Sequence, residues 1–327
     1  MRAGSVDGRL VAGLLPVLRK RALGRQPKAL LAKMLRKHLP AGTIYVNTGH
    51  SNLSKRVVHA VRKVPDSQIA VLIHDTIPLD FPEYQAEGAT ERFQKFLARA
   101  CREADLLIYN SEQTRADVAR WCPVHPQGIV AHLGIDFAAP EPRELPEGVP
   151  PVGPYFLTVG TIEPRKAHAL LLDVWDELRR TLGPETPTLL ICGSRGWKNE
   201  SVFNRLDALG PNDHIKEIAG LTDGAIAALM KGATALLFPS YAEGFGLPPA
   251  EAAHHITPIV CNDLPIYREF LGNIPIYAPS GDAKLWYRAV ITAYENALSE
   301  NSGPSAEAKQ WSPPTWEAHF ERVLRLI

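Results

Sequence analysis

The chain has 327 residues, of which 45% are apolar and 22% charged, and its formal net charge is +1. This length and composition predict a globular protein of two ordinary domains. The four cysteines are scattered without a C-x-x-C pair, which argues against metal knuckles and disulfide frameworks and favours a reducing cytoplasm. No apolar run approaches the roughly 18 residues that span a bilayer, and no signal-peptide pattern is present at the N-terminus.

Positive charge is concentrated at the start of the chain. Residues 1–40 contain ten Lys or Arg and one acidic residue, a formal charge of +9, so the remainder carries −8. Leucines recur at helical spacing beside these cations in "LVAGLLPVLRKRAL" and "ALLAKMLRKHL". Two interpretations stay open. The block is either a solvated helix packed on its own domain, which Pro16 slightly favours, or a basic amphipathic helix in peripheral contact with the anionic inner face of a membrane. No nucleic-acid partner is predicted.

After residue 42, short β-rich runs alternate with amphipathic helical stretches. The predicted strands are 43–48, 69–74, 106–110, 128–134, 154–160, 188–193, 215–220, 234–240 and 258–263. Continuous apolar strands that alternate with helices predict parallel sheets covered on both faces. The proline- and glutamate-rich segment 139–154 is predicted to be a linker between two halves. The predicted fold class is therefore α/β, with two Rossmann-like domains facing each other across a cleft.

Several signatures of other enzymes are absent from the sequence. It contains no G-x-G-x-x-G and no G-x-x-x-x-G-K-[ST], the loops that hold phosphates in dinucleotide-binding and P-loop proteins. It also contains no D-x-D, the usual metal-holding signature of one large class of sugar transferases, and no G-x-S-x-G nucleophile elbow. The candidate site must therefore come from other residues.

Ligands of such sheets bind beyond the carboxyl ends of the strands, so the polar clusters that follow strands are the candidate sites. In "SYAEGFGLPPAEA", Glu243 lies in a loop and Pro248 is predicted to begin a helix, with Glu251 in its first turn. Gly244 and Gly246 would let the backbone approach a phosphate at the helix start, between two carboxylates that accept from sugar or ribose hydroxyls. Alternatively, Glu251 only complements the helix dipole and the glycines only form a turn.

A second cluster, "VGTIEPRKAH", ends a strand with Gly160 and Thr161 and then presents Arg165 and Lys166 as a helix starts. Adjacent cations at a strand end can neutralise a diphosphate leaving group, a task that other enzymes assign to a metal. The alternative is a surface charge pair. Because the helix dipole disfavours cations at a helix start, a functional role is preferred.

Four segments together carry a resemblance: "GTIEPRK", "GSRGW", "GLTDGAIAALMKGATALLFPSYAEGFGLPPAEA" and "TPIVCNDLPIYRE". The chain resembles the family-four retaining glycosyltransferases, a group 1 family with the GT-B fold. The similarity is dense over about residues 152–280, where Glu243 and Glu251 match the family's E-x7-E spacing. It is looser in "VLIHDTIPLDFPEY", "YNSEQTR" and "VAHLGID". The resemblance implies transfer of a hexosyl unit, mannosyl or glucosyl, from a nucleotide-sugar to a surface polysaccharide or lipid-linked acceptor, without a metal or other cofactor.

The resemblance also implies roles for the candidate residues. Arg165 and Lys166 would hold the donor diphosphate, Glu243 would contact the transferred sugar, and Glu251 would hold the ribose. His74 matches the family's first-domain histidine beside the reacting sugar, although a strand-end histidine alone would more simply belong to a polar network. Further donor contacts are expected at Gly160, Thr161, Gly244, Phe245, Gly246 and Leu247, and the candidates on the acceptor side are His50, Asn52, Asp75, Ser111 and Gly134. The family retains the anomeric configuration, with front-face departure and return as the leading idea, and no nucleophile is assigned.

Three segments are predicted: an acceptor-side domain (1–146), a nucleotide-sugar domain (152–305) and a C-terminal helix (306–327) that packs back on the first domain. Family members usually begin with a strand and a glycine-rich loop, so the first domain is expected to be shortened at its N-terminus. Two alternative functions stay open: a nucleotide-sugar-binding protein with an incomplete acceptor domain, and a nucleotide-sugar epimerase, against which the Arg-Lys pair and the E-x7-E motif argue.

Two further departures from the family concern single residues. Ala167 stands where the family commonly has Asn, and Ile256 stands where a helix-ending Gly is usual. Because a β-branched residue strains a left-handed helix cap, the helix end near Ile256 is expected to differ from the family's.

Overall fold

A computed structural model of the protein describes residues 20–299 and 306–327. In the first domain, four parallel strands form a sheet in the order β1-β2-β3-β4. These strands are β1 (Ile44–Asn47), β2 (Gln68–Ile73), β3 (Leu106–Tyr109) and β4 (Gly128–Val130). The α-helices of this domain are α1 (Leu31–His38), α2 (Lys55–Val61), α3 (Ile77–Asp80), α4 (Ala89–Glu103) and α5 (Glu112–Trp121). Most of the predicted basic N-terminal stretch "LVAGLLPVLRKRAL" lies outside the described residues.

The second domain contains a six-stranded parallel sheet in the order β10-β9-β8-β5-β6-β7. Its strands are β5 (Tyr155–Val159), β6 (Thr188–Cys192), β7 (Ile215–Ile218), β8 (Ala235–Phe238), β9 (Ile259–Cys261) and β10 (Ile276–Tyr277). Its α-helices are α6 (His168–Leu182), α7 (Glu200–Asp207), α8 (Asp223–Gly232), α9 (Leu247–His254), α10 (Pro265–Leu271) and α11 (Ala283–Leu298). The chain order reverses between β5 and β8, which makes their carboxyl ends the topological switch point where such sheets bind ligands.

Two short helices complete the chain, α12 (Ala306–Gln310) and α13 (Trp316–Leu324). Between them, the indole of Trp311 donates to the carbonyl oxygen of Phe270 in the second domain at 2.8 Å. The chain then returns to the first domain, where Val323 packs against the β2–β3 face of the sheet. The last helix therefore lies on the first domain, while the segment before it contacts the second.

The strand predicted at 128–134 ends early, at Val130. The carbonyl oxygens of Ala131 and His132 each lie 3.1 Å from Nδ1 of His319, and the backbone N–H of Ile135 donates to Pro314. The N–H of Ala131 still donates to Tyr109 of β3 at 2.8 Å, and beyond it contacts with the C-terminal segment replace the ladder bonds. The two-residue strand β10 was not predicted, because it is too short to show a period.

The predicted linker, 139–154, lies against the second domain. Its middle forms a 3₁₀ turn at Pro142–Glu144, and the backbone N–H of Glu141 donates to the carbonyl oxygen of Gly224 at 2.9 Å. The carboxylate of Glu144 accepts a hydrogen bond from the hydroxyl of Thr222, which caps α8. In the part of the chain that the structure describes, no helix is both long and apolar enough to cross a bilayer.

The end of α9 corrects one prediction. Ile256 adopts a left-handed conformation with φ of +59°, so this helix end keeps the family's geometry although it lacks the glycine. Bonds from the N–H of Ile256 to Ala253 and from the N–H of Thr257 to Ala252 form a Schellman motif. The Thr257 hydroxyl also donates to the carbonyl oxygen of Met230 at 2.7 Å. These bonds outweigh the local strain.

Replacing Ile256 with Gly is therefore expected to stabilise the protein. The substitution relieves about 1–2 kcal/mol of left-handed strain, and the isoleucine side chain is 44% exposed, so little packing is lost. Urea denaturation measures the gain in free energy of unfolding. Ile256→Ala removes the same branched side chain but keeps a Cβ, and it should gain much less. If both variants gain equally in free energy of unfolding, relief of left-handed backbone strain does not explain the gain.

Candidate active site

Glu243 lies in the loop after β8, at the switch point, and pairs with both cations that follow β5. Its carboxylate oxygens are 3.0 Å from Nη1 of Arg165 and 2.5 Å from Nζ of Lys166. Arg165 also pairs with Glu163 at 2.7 Å and donates to the carbonyl oxygen of Ala242 at 2.6 Å. The structure thus brings three of the predicted catalytic residues into one cluster.

This charged cluster is largely buried. The side-chain exposure is 10% for Glu243, 12% for Lys166 and 18% for Arg165. Burial opposes ionisation of Glu243, but the charges of Lys166 and Arg165 outweigh it and hold its pKa below the usual value. Lys166 also lies over the ring of Phe238, 4.6 Å from the centroid. Such a cluster can exchange a carboxylate for the oxyanions of a ligand.

The bend before α9 requires glycine at position 246. Gly246 has φ of +90°, and a Cβ there would lie 2.4 Å from Cε1 of the fully buried Tyr267. Phe245, expected among the donor contacts, is only 5% exposed and stacks on Phe270 with centroids 5.0 Å apart. Its side chain therefore belongs to the core, and only its backbone can serve a donor.

The helix after this bend begins one residue earlier than predicted. Leu247 is its first residue and Pro248 its second, since Gly246 already provides the left-handed N-cap. Glu251 is then the fifth residue of α9, beyond the first turn in which it was predicted. Together with Phe137, which precedes the linker, it lines a small cavity of about 50 Å³. The structure does not bring Glu251 to the cavity that Glu243 lines.

The two domains are in direct contact at Gly244. A Cβ at Gly244 would lie 3.0 Å from both Oδ2 of Asp75 and the carbonyl oxygen of His74. The amide of Asn110 donates to the carbonyl oxygens of His74, at 2.7 Å, and of Gly244, at 3.1 Å. One buried amide therefore ties the end of β2 to the loop that carries Glu243. Two donor candidates follow β5. Gly160 lies next to the Lys166 side chain, and Thr161 is exposed.

A cavity of about 570 Å³ lies between the domains next to Glu243. The second domain contributes Tyr241, Ala242 and Glu243 to its walls. The first domain contributes Asp75, Asp80, Phe81, Gln113, Asp117 and Arg120. Burial raises the pKa of Asp75, whose Oδ1 accepts the N–H of Ile77 at 3.1 Å. Of the acceptor-side candidates, Asp75 lines this cavity.

His74 and His50 form a pair at the end of β2. Nε2 of His74 lies 2.7 Å from the carbonyl oxygen of Thr48, so this nitrogen carries the proton and donates. The backbone N–H of His74 donates to Nε2 of His50 at 3.2 Å. His50 also packs against the rings of Phe93 and Phe96. His50 thus supports the His74 backbone. Its ring lies against the two phenylalanines and is not part of the wall of the cavity that Glu243 lines.

The other acceptor-side candidates are outside the cavity. Asn52 is exposed, in a left-handed turn with φ of +62°. Ser111 is fully buried, and its hydroxyl accepts the N–H of Thr114 at 2.9 Å as the cap of α5. A Cβ at Gly134 would lie 2.3 Å from the backbone nitrogen of Trp316, so this glycine serves packing. Helix capping explains Ser111 and close packing explains Gly134.

The partly buried His50 predicts acid destabilisation. Burial, and then the neighbouring His74, lower the pKa of His50 to about 4 from 6.5. Between those values the unfolded chain binds more protons than the folded one, so stability is lost as the pH falls through this window. The expected loss from His50 is about 2 kcal/mol between pH 7 and pH 5, measured by urea denaturation. His50→Gln keeps an acceptor for the His74 N–H and should remove this part of the loss. An unchanged pH dependence would contradict the assignment.

Several residues of the cleft carried no recognisable sequence signal. Glu269 accepts the N–H of Glu112 at 2.9 Å and contacts Nε2 of His132 at 2.7 Å, joining the start of α5 to the second domain. Asp117 and Arg120 face the cavity from α5. Their spacing is that of one helix face, but a sequence does not show what that face meets.

Comparison with known proteins decides the family. The profile of the family described as Glycosyl transferases group 1 matches residues 146–311, just over half of the chain. The chain belongs to this family. Its resemblance to group 1 glycosyltransferases is thereby confirmed.

Individual relatives and solved structures agree with the family. The chain is 30% identical over 271 residues to the serotype-specific mannosyltransferase WbdA of Escherichia coli, covering 78% of this chain and 33% of that protein. It is 25% identical over 254 residues to the O-antigen chain mannosyltransferase B of Escherichia coli, covering 75% of this chain and 66% of that one. The chain thus spans about a third of the length of WbdA.

Among solved structures, the Anabaena protein Alr3699/HepE in complex with UDP and glucose superposes with a TM-score of 0.70 at 16% identity, over 92% of this chain and 81% of that one. The sucrose-phosphate synthase of Thermosynechococcus elongatus has a TM-score of 0.67 at 18% identity, over 93% of this chain and 80% of that one. The predicted GT-B fold, two α/β domains across a cleft, is confirmed.

Proposed function

We propose that the protein is a retaining, metal-independent glycosyltransferase that moves a hexosyl unit from a nucleotide-sugar to a saccharide acceptor. The observation that carries this proposal is the convergence of Arg165 and Lys166 on Glu243 at the switch point, beside a cavity between the domains. Family membership supports it.

The two cations have the chemistry that a leaving diphosphate needs. Arg165 offers a guanidinium fork and Lys166 a compact ammonium, and together they supply the positive charge that other transferases obtain from a metal. The donor diphosphate replaces the Glu243 carboxylate at these cations. Glu243 is then free to accept from sugar hydroxyls and to face the positive charge that develops on the sugar ring. The backbone from Gly244 to Leu247 and the adjacent His74 carbonyl border the same position, and the family resemblance assigns the ribose to Glu251, which lines a separate cavity.

Closure of the cleft around bound substrates would exclude water from this position. The bond from Asn110 to Gly244 and the contact of Glu269 with the start of α5 hold the cleft closed at two points. Water would otherwise hydrolyse the donor, so closure favours transfer.

The names of the relatives guide the choice of sugar. WbdA and the O-antigen chain protein are both mannosyltransferases, and Alr3699/HepE is seen with UDP and glucose. We therefore place mannosyl first and glucosyl second, with a surface polysaccharide or its lipid-linked precursor as the acceptor.

A donor panel tests this function. The protein is incubated with GDP-mannose, UDP-glucose, UDP-galactose and UDP-N-acetylglucosamine in the presence of EDTA, and release of nucleoside diphosphate is measured. Release from one hexose donor is expected, with its loss in Arg165→Ala and Glu243→Ala. Arg205→Ala removes an exposed ion pair to Asp173 on the far helices and should change nothing.

Three outcomes would contradict the proposal. Release that survives both Arg165→Ala and Glu243→Ala would place the site elsewhere. Donor binding without turnover would favour a binding protein, and sugar isomerisation without an acceptor would favour an epimerase.

The peripheral membrane contact is a separate part of the proposal. Lys33, Arg36, Lys37 and Lys63 surround a concavity between α1 and α2, on the described end of the basic N-terminal block. Such a patch suits anionic lipid headgroups. The protein is expected to co-sediment with phosphatidylglycerol liposomes, and less of it should bind as the salt concentration rises or in the variant K33E/K37E. The variant K284E, on the second domain, should bind as the wild type does. Binding that ignores both lipid charge and salt would refute it.

A further inference from the structure

Three aromatic rings form a continuous stack across the domain boundary. The ring of Phe81 lies 5.9 Å from that of Tyr84 at an interplanar angle of 12°, and Tyr84 lies 6.0 Å from Tyr241 at 15°. Phe81 and Tyr84 follow α3 in the first domain, whereas Tyr241 precedes Glu243 by two residues in the second. Phe81 and Tyr241 both line the interdomain cavity.

The second domain holds this stack in place. The indole N–H of Trp197 donates to the carbonyl oxygen of Tyr84 at 2.9 Å, and Nζ of Lys198 donates to that of Gln85 at 2.6 Å. The N–H of Tyr241 donates to the carbonyl oxygen of Arg165 at 2.9 Å, which fixes this ring relative to the diphosphate cations. The stack is therefore assembled only when the two domains are in contact.

The rest of the cavity wall combines apolar residues, among them Ile77, Leu264 and Ile266, with a polar group that includes four carboxylates. Oδ1 of Asp80 accepts from Arg120 at 3.0 Å, and Oδ1 of Asp117 accepts from the same guanidinium at 2.8 Å and from Gln113 at 2.8 Å. Asp75 and Glu243 complete the acidic lining. Carboxylates and a guanidinium arranged in this way offer paired acceptors and donors for neighbouring hydroxyl groups.

The combination selects among possible occupants. An aromatic wall presents a negative face to the C–H groups of a sugar ring, and carboxylates bind its hydroxyls. Among the described residues that line the cavity, the one cation, Arg120, is already paired with Asp80 and Asp117, so this wall offers little to the phosphates of a nucleotide. The volume of about 570 Å³ lies within the usual range for small-molecule sites, roughly 300–1,000 Å³.

From these observations we infer that the cavity between Tyr241, Phe81 and Asp117 is the subsite for the terminal sugar of a neutral saccharide acceptor. This inference rests on the proposed transferase function. It adds that the acceptor lies on the Phe81–Tyr84–Tyr241 stack, with its hydroxyls toward Asp80, Asp117 and Arg120. Because the stack spans both domains, acceptor binding also favours the closed cleft.

Two binding measurements test the inference without requiring turnover. Saturation-transfer NMR follows methyl α-mannoside, methyl α-glucoside, α-mannobiose and maltose on the full chain with saturating nucleoside diphosphate. Calorimetry separately measures the affinity for GDP and UDP. We expect saturable binding of at least one saccharide, weakened about three- to ten-fold in Tyr241→Ala, the equivalent of one lost aromatic contact. Nucleotide affinity should change less than about two-fold, since the cations remain.

Matched variants separate stacking from folding. Tyr241→Phe keeps the ring and should bind the saccharide as the wild type does. Phe320→Ala removes an exposed aromatic ring from α13 and should leave saccharide binding unchanged. Asp117→Asn should weaken binding of the saccharide but not binding of the nucleotide.

The results distinguish this inference from the function on which it rests. If the wild type binds nucleotide but none of the four saccharides, or if Tyr241→Ala binds them unchanged, the subsite is refuted. If Tyr241→Ala loses nucleotide affinity, the stack holds the donor base. Failure to bind any nucleotide would refute the proposed function.

Discussion

Glu243→Gln is expected to lower kcat for transfer by about 10²–10³-fold while the affinity for nucleoside diphosphate is kept or increased. The carboxylate now balances Arg165 and Lys166 at 3.0 Å and 2.5 Å, so a diphosphate must compete with it for both cations. An uncharged glutamine ends this competition and strengthens diphosphate binding. It also removes the negative charge that faces the reacting sugar, which slows transfer.

Removal of a cation is expected to have the opposite effect on the affinity for nucleoside diphosphate. Lys166→Ala should weaken nucleoside diphosphate binding, because it removes one of the two charges that hold the leaving group. Calorimetry and initial rates with the active donor measure both quantities. Asp213→Asn is the matched control, since this carboxylate precedes β7 and pairs with Arg179 of α6 at 2.8 Å. If Glu243→Gln leaves kcat unchanged, Glu243 serves only to hold the cations in the unliganded protein.

Gly246→Ala is expected to destabilise the protein by about 2–5 kcal/mol and to abolish donor binding. Two costs combine at this position. An alanine at φ of +90° is strained, and its Cβ would lie 2.4 Å from a ring carbon of Tyr267, which is fully buried and cannot turn away. Relief requires movement of the bend, which would carry Glu243 and the start of α9 away from the cations.

The chain offers a control that separates the two costs. Gly42 also has a positive φ, +76°, but a Cβ there would meet no atom within 4 Å. Gly42→Ala should therefore cost only the backbone strain, about 1–2 kcal/mol, and leave donor binding intact. Urea denaturation and calorimetry compare the variants. Equal destabilisation by the two substitutions would show that the contact with Tyr267 is unimportant.

The second domain was predicted well from the sequence because its strands are continuous apolar runs bounded by glycine and proline. β5 and β8 are such runs, and the polar residues after them had to share one edge of the sheet. That rule alone placed Arg165, Lys166 and Glu243 together. Ile256 shows the limit of predictions from single residues. Left-handed strain at a β-branched residue predicted a changed helix end, but the Schellman bonds and the bond from the Thr257 hydroxyl kept the left-handed turn.

The lining of the cavity between the domains was predicted less well for a physical reason. Ser111 and His50 are polar residues at strand ends, as the rule required, but a helix cap and a buried aromatic cluster use their polar atoms. The residues that do line the cavity, such as Tyr241 and Asp117, depend on how two domains meet. That arrangement is set by contacts between residues more than a hundred positions apart, and no sequence period records it.

The path of the C-terminal segment has a consequence for how the halves can be separated. The backbone crosses between the domains twice, once through the linker and once between Trp311 and Trp316, and Val323 then covers Ala70, Leu72 and Ile108 of the first sheet. A fragment that ends before this second crossing leaves an apolar sheet face open to water and prone to aggregation. The first half is therefore expected to need its tail, supplied in trans as a peptide or by circular permutation, to remain monomeric.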